Sequence, residues 1–292
     1  MRGRSQRAGI ALAFLAAALY ALSTPFSKLL LGGVAPNMMA ALLYLGAGAG
    51  MTLLALGRRA LAREDVTAGN PLVREDAPYV LAMIALDVAA PILLMAGLSL
   101  SSAETVSLLN NFEIVATAVV ARLAFGERVG GRAALGIGVI TVACLLLSWG
   151  GSGVSLSTGS LLVLGACGCW GVENNCTNRL SGRDPVQVVV AKGWGSGAGA
   201  LVVALLAGDA LPAAADAVCA LALGFVAYGL SIACYVRAQR ELGAARTSAF
   251  YAVNPFIGSA LGLALFQTPL APTFVVALVL MAVGTWFVTP RA

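Results

Sequence analysis

The chain has 292 residues, of which 60% are hydrophobic and only 11% charged, against roughly 25% charged in an ordinary soluble domain. That composition excludes a water-facing globular surface, and long apolar blocks put the chain in the membrane class. The net charge of +5 does not mark a nucleic-acid binder, because the basic residues stand in small groups between apolar blocks rather than on one phosphate-binding face.

With about 20 apolar residues per crossing, the sequence predicts ten transmembrane helices, at residues 8–31, 35–57, 78–98, 102–125, 131–149, 158–178, 185–207, 216–238, 243–267 and 270–289. The first apolar run follows Arg2, Arg4 and Arg7 as in a signal peptide, but is too long for one and is read as a retained span. The expected fold is an all-α integral membrane protein.

The basic residues test this count, since Lys and Arg concentrate on the cytoplasmic side. Arg58, Arg59, Arg63 and Arg74 fall in the second connection, and Arg122, Arg128 and Arg132 border the fourth. Arg179 and Arg183 mark the sixth, Arg237, Arg240 and Arg246 the eighth, and Arg291 the C-terminus. Odd-numbered connections such as 32–36 and 150–158 contain no Lys or Arg, so both termini are expected in the cytoplasm.

Taken in chain order, the polar groups at membrane depth are the candidates for function, since an ionisable side chain there costs roughly 2.5–3.5 kcal/mol on insertion scales. Lys28, near the outer end of the first helix, is long enough to snorkel and reads first as a solvated anchor. Asp87 lies mid-way along the third helix and Glu113 along the fourth, beside Asn111. Each carboxylate reads either as a coupling or cation-binding group or as a structural hydrogen-bonding partner between helices.

The sixth helix ends on Glu173, Asn174, Asn175, Thr177 and Asn178, more than one helical face can hide, which points to a substrate pathway or gate. Lys192 on the seventh helix falls at a depth similar to Glu173, so the spacing predicts a buried ion pair. Asn254 joins the candidate substrate or coupling set. Tyr20, Trp170, Tyr228 and Tyr251 are candidate cavity walls, with core packing as the plainer role. Pro91 and Pro255 lie inside predicted helices and are candidate hinges.

The glycine rows Gly46, Gly48, Gly50 and Gly193, Gly195, Gly197, Gly199 predict close helix packing in lipid. The six cysteines lie in apolar stretches and the chain has no His; they read as packing residues, and neither a metal site nor a cofactor is expected. Without His there is no His-based acid/base chemistry, and neither lysine sits in a P-loop context, so an enzyme is not expected.

Two correspondences divide the chain into halves, residues 1–150 and 151–292. A shift of 150 positions puts Gly9 on Gly159, Leu12 on Leu162, Ala16 on Ala166, Tyr20 on Trp170 and Ser27 on Thr177. A second joins Ala103 and Thr105 to Ala245 and Thr247, and Glu127 to Gln267. With five spans each, the halves enter the bilayer from opposite sides and form an inverted repeat.

The stretch NFEIVATAVVARLAFGERV, residues 111–129, resembles the fourth-helix pattern of EamA-type transporters in the drug/metabolite transporter superfamily. Gly126, Glu127 and Arg128 match its closing motif, and Ile114 stands where a proline is usual. Its partner, YAVNPFIGSALGLALFQ, has the proline at Pro255 and Gln267 where glutamate is common. The resemblance implies a secondary transporter exporting small metabolites, amino acids or toxic compounds across a bacterial inner membrane. Its expected partners are a small-molecule substrate, lipid and protons. It would work by alternating access, with proton coupling or exchange. A channel or a non-transporting membrane scaffold is the rival reading.

Overall fold

In lipid the backbone must satisfy its own hydrogen bonds, and the chain does so by helices alone, with no strand among the described residues. The computed structural model describes residues 2–60, 70–126, 130–148, 157–180, 182–242, 247 and 250–288. Glu127, Arg128 and most of the expected loop 150–158 lie outside them. Among the described residues seven helical stretches are long and apolar enough to cross a membrane: Arg7–Leu30, Pro36–Gly57, Arg74–Ser99, Ala103–Ala124, Gly131–Ser148, Val186–Leu206 and Ala214–Ala238. Two shorter apolar helices follow, Asn254–Phe266 and Pro272–Val288, and Thr158–Arg179 is a further 22-residue helix.

Several expected helices are broken. The first is α1 (Arg2–Ala21) and α2 (Ser23–Leu30), separated at Leu22. Next come α3 (Pro36–Ala60) and α4 (Ala77–Ser99). The fourth crossing is divided at Asn110 and Asn111 into α5 (Ala103–Leu109) and α6 (Phe112–Phe125). After α7 (Gly131–Ser148), α8 (Thr158–Arg179) and α9 (Pro185–Leu206), the eighth crossing runs from α10 (Ala214–Gly224) through a π-helical segment, Phe225–Leu230, into α11 (Ser231–Leu242). The last helices are α12 (Asn254–Phe266) and α13 (Pro272–Val288).

The two prolines expected to act inside helices differ. α4 runs unbroken through Pro91. Pro255 stands in the first turn of α12, where its missing N–H is one the helix would leave unpaired in any case. It opens a helix and does not kink one, which corrects the expectation of an uninterrupted helix around it.

The chain alternates up and down, so one end of the bundle collects the start of α1 and the end of α13. Arg7, Arg74, Arg122, Arg132, Arg179, Arg183 and Arg237 all lie at or near helix ends on this termini side. There Arg183 grips Asp76 with two nitrogens, Nε 2.8 Å from Oδ2 and Nη2 3.0 Å from Oδ1. This tie fastens the approach to α4 onto the turn between α8 and α9. The opposite, far side carries Lys28. Lys28 is half-buried, and its ammonium donates to Leu98 O and Ser101 O, at 2.6 Å each, at the C-terminal end of α4.

The most extensive packings all cross the midpoint of the chain: α3 on α9, α4 on α8, α7 on α13 and α1 on α11. Small residues make this possible, as expected of the glycine rows. At the α3–α9 crossing a Cβ on Gly193 would lie 2.5 Å from Gly48 Cα, and one on Gly48 would lie 2.9 Å from Gly193 C. On the far side α2, α5 and α12 meet. Towards the termini side α1 lies with α11 and α6 with α8, and no extensive packing joins these two pairs among the described residues.

Gly193→Leu drives a side chain into the backbone of α3. It is expected to destabilise the fold by about 1–3 kcal/mol, the usual scale of overpacking, seen as a lower thermal midpoint in detergent. The same change at Gly57, where an added Cβ meets nothing within 4 Å, is expected to leave the midpoint in place.

Candidate functional site

Three of the charged residues singled out in the sequence meet at mid-depth. Lys192 Nζ on α9 lies 3.0 Å from Asp87 Oδ2 on α4 and 3.0 Å from Glu173 Oε1 on α8. The pair expected between Lys192 and Glu173 is therefore a triad. Asp87 is fully buried, Glu173 is 3% exposed, and the Lys192 side chain keeps 17% of its surface open. When all three are ionised the triad carries one excess negative charge, with both carboxylates buried.

Donors from other helices complete it. The Tyr44 hydroxyl on α3 donates to Asp87 Oδ1 at 3.0 Å, and the Trp170 indole N–H donates to the same oxygen at 3.2 Å. The Thr177 hydroxyl donates to Glu173 Oε1 one turn below. Tyr44 was not among the sequence candidates, yet a phenol in the middle of an apolar helix needs a partner for its O–H, and that was the available clue.

Five of the chain's six tyrosines continue from this point as a ring-to-ring series. Tyr44 and Tyr228 have centroids 5.3 Å apart, Tyr228 and Tyr20 5.5 Å, Tyr20 and Tyr251 6.0 Å, and Tyr251 and Tyr235 4.9 Å. Such offset and edge arrangements are favourable between aromatic rings. Tyr228 belongs to the π-helical segment, a local irregularity frequent at functional sites.

Glu113 forms a second polar centre on α6. Its Oε1 accepts from Asn174 Nδ2 at 2.7 Å, and the same amide nitrogen reaches Thr117 Oγ1 at 3.2 Å. Glu113 lies within electrostatic range of Glu173 and Lys192 and also of Tyr20. Neighbouring Asn175 faces structure instead, donating to Gly171 O at 2.8 Å and Thr117 O at 3.2 Å.

Asn111 is not brought to this site. It is buried, donates to Leu108 O at 3.0 Å and accepts from Thr285 Oγ1 on α13 at 3.4 Å. Its neighbour Asn110 takes the inward position, in a narrow recess shared with Tyr20, Ser23, Thr24, Ser107 and Asn254. The chain break between α5 and α6 falls on these two asparagines, and sequence periodicity alone does not choose between them.

The fold and this site define a polytopic membrane protein with charged and aromatic groups gathered where its broken helices meet. The EamA-like transporter family model matches residues 7–149 and again 157–289, and the chain belongs to that family, the EamA type of the drug/metabolite transporters. A solved structure titled "Crystal structure of protein" is similar over 96% of this chain and 96% of its own, with 16% identity and a TM-score of 0.68; that likeness is one of fold. No curated protein matches the chain.

Removing the shared cation leaves two buried carboxylates facing each other. Lys192→Met is expected to cost about 3–5 kcal/mol, the scale for breaking a buried pair from one side, while Tyr44→Phe costs about 1 kcal/mol for one lost hydrogen bond. Unfolding in detergent for both variants checks the order; equal effects would contradict the central place given to Lys192.

Proposed function

We propose that the protein is a secondary transporter of small metabolites, amino acids or related compounds, working as an exporter in a bacterial inner membrane. It crosses the bilayer ten times as two inverted five-helix repeats, divided near residue 150, with both termini in the cytoplasm. The observation that carries this reading is the mid-depth triad of Lys192, Asp87 and Glu173, open on its lysine. A carrier needs groups at the bilayer midplane that exchange partners with a solute, and a buried triad open on one member supplies them.

In this reading a substrate amine competes with Lys192 for Asp87 and Glu173, or a substrate carboxylate competes for Lys192. Glu113 and Asn174 supply a second contact, and the tyrosine series lines the route. Pro91 within α4 and Pro255 in the first turn of α12 serve as the hinge positions. The two halves rock about the α3–α9 crossing. Closure by α2, α5 and α12 on the far side supports a state open towards the termini. The gathering of arginines on the termini side supports a cytoplasmic location for that side.

Reconstitution in liposomes with labelled amino acids tests the proposal. Saturable counterflow and accumulation under a pH gradient are expected, and Asp87→Asn and Glu113→Gln are each expected to lose the gradient-driven part. Ungated, non-saturable flux would assign the protein to the channels.

Orientation has its own test. Cysteines placed at the exposed positions Gly32 and Ala210 are expected to react with an impermeant reagent added outside intact cells. Protection of both would reverse the topology.

A further inference from the structure

The fourth crossing carries polar side chains at Glu104, Ser107, Asn110, Glu113 and Thr117, each three or four residues from the next, so that successive members are helix neighbours in a row that winds around the crossing and passes its break at Asn110 and Asn111. Their surroundings change along the way. Glu113 and Thr117 share the Asn174 amide near the triad, and Asn110 and Ser107 open on the recess beside Tyr20. Glu104 lies one turn beyond, under the closed far side. There a Cβ on Gly258 would lie 3.0 Å from Ser107 Oγ, and one on Gly262 would lie 2.9 Å from the Glu104 amide nitrogen.

This closed part is badly satisfied. Glu104 is only 3% exposed, and its Oε2 has no hydrogen-bonding partner among the described residues. Ser107 Oγ and Asn110 Oδ1 on the same crossing, Ser27 Oγ on α2 and Ser259 Oγ on α12 are buried without one as well. Each such group carries a desolvation cost, and a carboxylate carries the most. Structural packing between three helices could be made from alanine and leucine; these oxygens instead lie on α2, α12 and the fourth crossing, which pack on one another at the far side.

The ionised group facing Glu104 is Lys28 of α2, whose ammonium is held by the Leu98 and Ser101 carbonyls. α12 and α13 contain no ionisable side chain. α4, α7 and α8 place Tyr79, Asp87, Arg132, Glu173 and Arg179 at mid-depth or on the termini side, and otherwise present only the thiols of Cys144, Cys167, Cys169 and Cys176.

We propose that this stripe is a proton path, with Glu104 as the carboxylate that takes up a proton from the far side and Glu113 as the one that receives it at the cavity. When α2 and α12 part from α5, Glu104 accepts a proton from hydronium and releases water. Waters held by Ser107 and Asn110 then carry a proton to the Glu113 carboxylate, and Glu104 returns to its ionised form. The inference rests on the transport reading above and names the group through which a pH gradient would act.

The test uses the full-length protein in liposomes and has two arms. In the first, infrared difference spectra between acidic and alkaline buffer follow the carboxylic C=O stretch without any substrate. Glu104→Gln is expected to lose one band, Glu104→Asp to keep a shifted one, and Ser107→Ala to keep it; a wild-type spectrum that Glu104→Gln leaves unchanged overturns the proposal. In the second arm, with labelled amino acids as the probe, Glu104→Gln is expected to lose pH-driven accumulation and to keep counterflow. Equal loss of both, no loss of either, or accumulation driven by sodium in place of protons overturns it. Absence of counterflow in the wild type would instead sink the transport reading, and the infrared arm would still decide whether Glu104 exchanges a proton.

Discussion

One ammonium group organises the middle of this protein. Lys192 Nζ stands at 3.0 Å from both Asp87 and Glu173, and none of the three charges is tolerable alone at that depth. They come from α9, α4 and α8, so these helices cannot drift apart without exposing a bare charge to hydrocarbon. Tyr44 and Trp170 add neutral donors to Asp87, which bring α3 into the same arrangement and tie the first half of the chain to the second.

Around this fixed centre the remaining crossings are interrupted. The break at Leu22, the one at Asn110 and Asn111, the π-helical turn holding Tyr228 and the start of α12 at Asn254 interrupt the regular helical ladder, and tighter bonds such as Asn111 N–H to Leu108 O at 3.0 Å bridge the interruptions. Irregular backbone at membrane depth is found where protein or a cavity, not lipid, surrounds it. The irregular backbone and the polar side chains thus mark the same region, the rigid charged cluster on one side and the divided helices on the other.

Much of this could be read from the sequence because the bilayer leaves few choices. Apolar block length located the helices, and a charge placed inside a block had to find a partner, so Glu173 and Lys192 were legible as a pair. Asp87 was legible as a buried acid, but not as the third member, because nothing in linear spacing brings the third helix beside the sixth and seventh. The breaks were not legible: in helices apolar on most faces, periodicity carries little information about phase. That is why Asn111 was chosen where Asn110 faces the recess, a one-residue offset that turns a side chain by roughly 100°. Lys28 was read only in part. Its reach to water is also a reach to the end of α4, and open carbonyls there compete well with solvent. Glu104 escaped notice because it stands near the start of its predicted helix, where an acid ordinarily finds water; α2 and α12 deny it that.

The crossing of Gly48 and Gly193 bears on how such a molecule can move. Most helix contacts are upholstered with side chains, which shift rotamers and let the helices slide or separate by small steps. Here backbone lies on backbone, with nothing between to compress. A joint of that kind holds its two axes at a constant distance while leaving their angle free, as a pin does in a pair of scissors.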